Sequence, residues 1–257
     1  MKPIILLFIG LILSGCSSMN IPAKLNTPSF EKKGQMEVEL GSSTNSFYQN
    51  VGYSITDNLS IISSGFISYD FLDKNEYAKY RWSGEYFEFL PSPYESKYID
   101  LAIGMYKNRN ETIKSIYVGT GLGNSNYRYK YSSDGSQEYL RKNTYNTIFA
   151  QFNYGKKKNN IDYGLTSRLS YSYYPFNSKI LNSNSLNDDI KSNVVYHIFG
   201  VQPCLYLNIT KNRFVYTFNA GTYLTNYNKY SDWFVRDYPQ NTLIHLSIGL
   251  KYKIGKE

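Results

Sequence analysis

From residue 35 onward the chain is a succession of segments in which apolar and polar side chains alternate, each closing on a turn signal. Successive side chains of a strand point to opposite faces, so a period of two makes a ribbon with one apolar and one polar side. In the segment 160–174, Ile161, Tyr163, Leu165, Leu169, Tyr171 and Tyr173 fall on one side. Asp162, Gly164, Thr166, Arg168, Ser170 and Ser172 fall on the other. The segment 212–226 sets Phe214, Tyr216, Phe218, Ala220 and Leu224 against Arg213, Thr217, Asn219, Gly221 and Thr225. The segment 241–254 sets Ile244, Leu246, Ile248, Leu250, Tyr252 and Ile254 against His245, Ser247, Gly249 and Lys251. One segment, 59–70, does not sort: Ser60, Ser64 and Ser68 oppose Ile61 and Ile67, and its faces stay open.

Ten strands follow from this reading, near 35–42, 46–56, 59–70, 97–107, 112–123, 143–154, 160–174, 192–208, 212–226 and 241–254. Their connections alternate in length. Short turns fall at 56–58, 107–111, 155–159 and 209–212, and long loops at 71–96, 124–142, 175–191 and 227–240. The connection near 43–45 is the one short member of the second set. Tight periplasmic turns, longer outer loops and an even strand number belong to transmembrane barrels. The expectation is an all-β, antiparallel up-and-down barrel over 35–257, of about ten strands, with eight to twelve compatible. An even count puts both chain ends on the periplasmic side.

Composition enters as a test of this picture. Of the 257 residues 42% are hydrophobic, which excludes a disordered chain. Outside 4–13 no apolar run approaches the roughly 20 residues a membrane helix needs. A mean hydropathy of −0.45 is what averaging a lipid face, a polar lumen and loops produces. A soluble barrel with its apolar faces inward would share the alternation, but the polar faces argue otherwise. They carry Gly52, Gly104, Gly119, Gly121, Gly164, Gly200, Gly221 and Gly249, which make room in a narrow lumen and would only weaken a solvent-facing wall. They also carry both signs of charge, Glu37, Glu39, Asp100, Asp162, Arg168, Arg213 and Lys251, as a filled polar lumen would. Closure of the last strand on the first should bring Lys251 near Glu37, with Arg213 one strand away. At about ten strands such groups can fill the interior, far from the open porins of 16–18 strands. Tyr98, Tyr145, Tyr171, Tyr173 and Tyr223 toward the loops, and Tyr53, Tyr154, Tyr163, Tyr206 and Tyr252 toward the turns, read as two interfacial girdles.

The N-terminus sets the compartment. Lys2, an apolar run from Ile4 to Leu13 and small residues beyond it form a secretory signal over 1–15. The ending Leu13-Ser14-Gly15-Cys16 resembles the bacterial lipoprotein lipobox, which implies cleavage before Cys16 and its lipidation with diacylglycerol and an N-acyl (palmitate-type) chain. Multiple acyl chains anchor stably where one does not. Ser17 after the cysteine implies sorting to the outer membrane of a Gram-negative envelope. Residues 16–34, punctuated by Asn20-Ile21-Pro22, Asn26-Thr27-Pro28 and Lys32-Lys33-Gly34, read as a periplasmic tether. The stretch 22–34, followed by Tyr53-Ser54-Ile55-Thr56-Asp57-Asn58, resembles a group of outer-membrane lipoproteins from Bacteroidetes-type bacteria that carries no known activity. Cys204 has no partner, so no disulfide is expected.

Chemistry-bearing constellations are sparse, and neither cofactor nor metal is expected. His197 and Cys204 lie seven apart on one strand and so face opposite sides. His245-Leu246-Ser247 is similar, at its first and third positions, to the His-x-Ser of outer-membrane lipid A deacylases. That resemblance implies a lipid-modifying hydrolase only if the pair faces the lipid beside a carboxylate; the strand pattern points it inward, as structural lumen residues. The first long loop holds Tyr80, Trp82, Tyr86, Phe87 and Tyr94, aromatics suited to contact with an extracellular protein or glycan. The plainer reading extends the third and fourth strands above the membrane as a paired ribbon. The net charge of +8, or +7 without Lys2, is scattered over turns and loops. It suits anionic lipid headgroups, whereas nucleic acid binding needs a concentrated basic face. The resulting expectation is a lipid-anchored, non-catalytic outer-membrane barrel with a structural or surface-interaction role; a narrow passive channel stands as its alternative, ahead of the hydrolase.

Overall fold

The computed structural model describes residues 24–43, 46–68, 78–82, 85–89, 95–109, 111–130, 138–180, 194–226 and 242–255. Its strands are β1 (Met36–Ser43), β2 (Ser46–Ser54), β3 (Leu59–Ser68), β4 (Ala78–Trp82), β5 (Glu85–Phe89), β6 (Glu95–Arg109), β7 (Thr112–Lys130), β8 (Glu138–Lys158), β9 (Ile161–Ile180), β10 (Val194–Lys211), β11 (Phe214–Asn226) and β12 (Thr242–Ile254). All but β4 and β5 form one antiparallel ring, closed by the pairing of β1 with β12 and of β7 with β8. The structure is a closed ten-stranded barrel.

The ladders fix its geometry. Traced from Gly41 in register through β2, β3, β6, β7, β8 and β9, the path reaches Tyr196 on β10. Traced the other way, through Gly249 and Thr217, it reaches Asn208. The twelve-residue offset between those positions is the shear, and with ten strands it tilts each strand by roughly 40°. Three turns at one end take two residues each, with left-handed backbone at Glu111, Asn159 and Asn212 (φ 63°, 54° and 57°). Asparagine tolerates that conformation better than most residues, which explains two of the three positions.

The wall is uneven in height. β1 and β2 have 8 and 9 residues, whereas β7, β8 and β9 have 19, 21 and 20. The stretches 124–130, 138–142 and 175–180, expected in loops, therefore continue the ladders. Alternation fades there in the sequence, while the backbone pairing persists. The first long loop also differs from expectation. β4 and β5 pair with each other as a separate hairpin, and Glu88 of β5 meets Lys130 of β7, so the hairpin does not prolong the β3–β6 ladder.

Leu101, Ile103, Val118, Leu122, Ile148, Leu165, Phe199, Leu205, Phe218 and Ile248 point outward around the ring. β3 resolves with Ser60, Ile62, Ser64 and Phe66 inward and Ile67 outward. The girdle assignment needs correction. Tyr53, Tyr154, Tyr163, Tyr173 and Tyr252 are exposed on the outer wall, but Tyr98, Tyr145, Tyr206 and Tyr223 are buried in the lumen. Their rings lie flat across glycines of the neighbouring strand: a Cβ on Gly123 would sit 2.0 Å from Tyr145 Cζ. Glycine and tyrosine thus fill the lumen as complementary pairs, and a tyrosine near a strand end takes either face according to parity.

A lumen filled by the N-terminal segment

Residues 24–30, part of the expected tether, run inside the barrel. Lys24, Leu25, Asn26, Thr27, Ser29 and Phe30 are all under 5% exposed. The segment is extended and holds no ladder, so its backbone groups take partners from the walls. Asn108 Nδ2 donates to the Phe30 carbonyl at 3.0 Å, and the Phe30 ring meets Tyr106 edge-on with centroids 5.5 Å apart. Gly52 leaves the space for that ring, since a Cβ there would lie 2.8 Å from Phe30 Cζ. The Ser29 amide and hydroxyl donate to Glu37 at 3.3 and 3.2 Å. Lys251 Nζ donates to the Thr27 carbonyl at 2.8 Å and to Glu37 Oε2 at 3.2 Å. Asn26 donates to the Val51 carbonyl at 2.9 Å and accepts from Gln151 Nε2 at 2.6 Å. Lys24 pairs with Glu39, donates to the Tyr48 hydroxyl at 2.8 Å and lies 4.1 Å from that ring's centre.

The Glu39 and Gln151 contacts of the segment extend into the wall. Glu39 also accepts from Thr217 Oγ1 at 2.5 Å, Tyr48 OH at 3.1 Å and Asn50 Nδ2 at 3.2 Å, so one carboxylate joins β1, β2 and β11 to the segment. Arg168 Nη1 donates to Asp100 Oδ2 at 2.7 Å, and Nη2 to Gln151 Oε1 at 2.9 Å. Gln151 in turn holds Asn26, which links the wall pair to the segment. Beyond Lys24 an arc of aromatics lines the lumen: Tyr48, Phe66, Tyr98, Tyr145 and Tyr174, with Ile198. Phe66, Tyr98, Tyr145 and Tyr174 stack in sequence with centroids 4.5–6.1 Å apart. Around residues 24–30 and the aromatic arc the described side chains pack the lumen.

Of the charges named from sequence, Glu37, Glu39, Asp100, Asp162, Arg168 and Lys251 are buried in the lumen. Asp162 sits opposite Asn208 near the turn end. Arg213 is corrected: it lies exposed in the turn between β10 and β11 and lines the rim of the turn-side mouth. Its parity is right, but the ladder ends at the Lys211–Phe214 pair, so no wall carries it inward. At that mouth Glu31 pairs with Lys157, whose hydrogen bond holds the Glu31 carboxyl below the usual carboxylate range.

His245 and Ser247 are buried in the lumen, and neither ring nitrogen of His245 has a hydrogen-bond partner among the described residues. Cys204 is buried, whereas His197 is on the outer wall with its Nδ1 2.6 Å from Tyr171 OH. Tyr80, Trp82, Tyr86 and Phe87 belong to the β4–β5 hairpin, where Tyr80 pairs with Phe87. Cys16 and Tyr94 lie outside the described residues. Sequence reasoning missed Lys24 as a lumen residue. The signal was there: with Arg213 excluded, the wall presents four acids, Glu37, Glu39, Asp100 and Asp162, against Arg168 and Lys251. Such an imbalance in a narrow lumen calls for a cation from elsewhere.

The ring, its two kinds of connection and its apolar exterior define a bacterial outer-membrane β-barrel fold. The outer-membrane protease OmpT from Escherichia coli superposes with a TM-score of 0.54 at 13% identity, covering 89% of this chain and 99% of that one. The translocator domain of the autotransporter NalP from Neisseria meningitidis follows at 0.37 and 10%, covering 89% and 90%. Ail, the attachment invasion locus protein of Yersinia pestis, gives 0.35 and 8%, covering 86% and 99%. At these identities the likeness, carried by the first of them, is one of fold. No protein-family model and no curated protein sequence matches the chain.

Proposed function

We propose that this is an outer-membrane barrel, lipid-anchored at Cys16, non-catalytic, and sealed by its own N-terminal segment, with a structural or surface-interaction role exerted through its outer connections. The observation that carries this reading is the course of residues 24–30 through the lumen, bonded to β1, β2, β6, β8 and β12 along its length. A wall held together across its interior makes a rigid platform. What it displays is the uneven rim, where β7–β9 rise above β1–β2, and the β4–β5 hairpin with Tyr80, Trp82, Tyr86 and Phe87. An extracellular protein or glycan is the partner class those aromatics fit. The inward course of His245 and Ser247, away from the lipid a hydrolase of this kind would take its substrate from, favours the non-catalytic reading.

The narrow-channel alternative is separated by conductance in planar bilayers. The full chain is expected to be electrically silent, and a variant lacking residues 24–30 is expected to conduct. Steady conductance from the full chain would overturn the sealed-barrel reading in favour of the channel.

A further inference from the structure

The segment inside the lumen has a direction. Its C-terminal end meets turn-side residues: Phe30 contacts Gly52, Tyr106 and Asn108, close to the ends of β2 and β6. Thr27 is held by Lys251 and Asn26 by Gln151, farther up the wall. Lys24 reaches Glu39 at the middle of β1 and Tyr48 on the loop-side half of β2. Traced toward the N-terminus, the chain climbs from the turn end toward the loop end.

We propose that it continues through, so that the chain threads its own barrel and its N-terminal end emerges at the mouth ringed by the long connections. This rests on the sealed-lumen reading above. Three observations carry it. First, a return to the turn side needs a second extended strand beside residues 24–30. The first already bridges the lumen at that level, bonded at once to β2 and β8 through Asn26 and to β12 through Thr27, so a second would have to displace these bonds.

Second, the way onward is lined for a polar backbone. The aromatic arc occupies β2, β3, β6, β8, β9 and β10. On β11 and β12 the lumen instead carries Asn219 and His245, both at least nine-tenths buried, whose side-chain nitrogens and the Asn219 oxygen have no hydrogen-bond partner among the described residues. Buried polar groups of this kind take partners, and an extended chain beside them supplies amides and carbonyls.

Third, among the described strands the wall is shortest where the segment points. The β1–β2 ladder ends at the Ser43–Ser46 pair, four residues above Glu39, or about 13 Å along the strand. The eight residues from Cys16 to Lys24 reach up to roughly 27 Å when extended. That is enough to clear the β1–β2 notch and bring Cys16 down to the lipid surface beside it. The anchor would then lie in the outer leaflet, on the opposite face of the membrane from the C-terminal end of β12.

A membrane-impermeant maleimide on intact cells tests this. Ser18→Cys marks the threaded end and Lys32→Cys the turn-side mouth; the parent chain, with Cys204 buried, supplies the blank. S18C is expected to label on intact cells at the rate seen after permeabilisation of the outer membrane, and K32C only after permeabilisation. Labelling of S18C no faster than K32C on intact cells overturns threading. The bilayer measurement separates the two proposals: an electrically silent barrel whose S18C is shielded on intact cells keeps the seal and rejects the exit, whereas a conducting full chain rejects the seal itself.

Discussion

Arg168 on β9 donates to Asp100 on β6 at 2.7 Å across the lumen, joining strands that have two others between them in the ring. Both side chains are almost fully withdrawn from solvent. Asp100 also accepts from the Ser64 amide at 2.8 Å, and Arg168 packs 3.9 Å from the centre of the Phe149 ring. Removing one partner of such a pair strands a buried charge, which costs about 3–5 kcal/mol. Asp100→Asn should therefore lower the folded barrel's thermal midpoint markedly. The double variant Asp100→Asn with Arg168→Met should recover part of that loss, read by the heat-modifiable mobility of the folded form.

Lys24 is the cation that the acidic wall around Glu39 takes from outside the ring. Lys24→Ala leaves Glu39 with Thr217, Tyr48 and Asn50 as hydrogen-bond donors, so the barrel is expected to stay folded while the seal loosens. Transient conductance events absent from the parent chain are the predicted signature in planar bilayers. Lys24→Glu places like charges together and should raise their frequency further.

Gly52 and Phe30 make a shape-matched pair at the turn-side end. A leucine at 52 would occupy the volume of the Phe30 ring, because even a Cβ there comes within 2.8 Å of it. Gly52→Leu is expected to dislodge the C-terminal end of the segment at Phe30 and speed tryptic cleavage at the already exposed Lys32 and Lys33 in purified protein. Gly52→Leu combined with Phe30→Ala should restore protection.

The lipid-facing wall predicts an asymmetry between neighbours. Leu101, 59% exposed on β6, faces outward between the inward Asp100 and Ala102. Leu101→Arg near the middle of the hydrocarbon band should cost about 2–4 kcal/mol of folding free energy into lipid vesicles, and Leu101→Ala far less. Equal costs for the two would contradict an outward, lipid-facing position.

Acid should loosen the turn-side end. The Glu31 carboxyl is held low by Lys157, so this pair contributes stability above the unfolded pKa of about 4.3, and the contribution is lost as pH falls through the depressed folded value. The pair is partly solvent-exposed, so the effect is small. Glu31→Gln should flatten the acid limb of the thermal midpoint against pH relative to the parent chain.

Alternation made the strands legible because it is local: a pleated chain with lipid on one side needs nothing but parity to choose its faces. Nine of the ten barrel strands sort this way on inspection. β3 did not, since Ile62 and Phe66 turn inward beside Ser60 and Ser64, where the lumen packs apolar side chains against Ala102, Tyr117 and the aromatic arc. Parity also misplaced Arg213, because a turn residue has no neighbour strand to direct it. The tyrosines at strand ends divided between lumen and interface by parity, and those turned inward lie across glycines whose place depends on the register with the neighbouring strand.

By itself the sequence determined a closed antiparallel barrel of about ten strands, because alternating faces with full backbone pairing call for closure, and the glycines and mixed charges of the polar faces turn the apolar ones outward. Only the tertiary structure decided what fills it. Residues 24–30 carry no period, since an extended chain in a polar lumen is held by wall groups on every side and needs no face of its own. Its place depends on Glu37, Glu39, Gln151 and Lys251 converging from three strands, which ring closure and a shear of twelve bring about and no local pattern records.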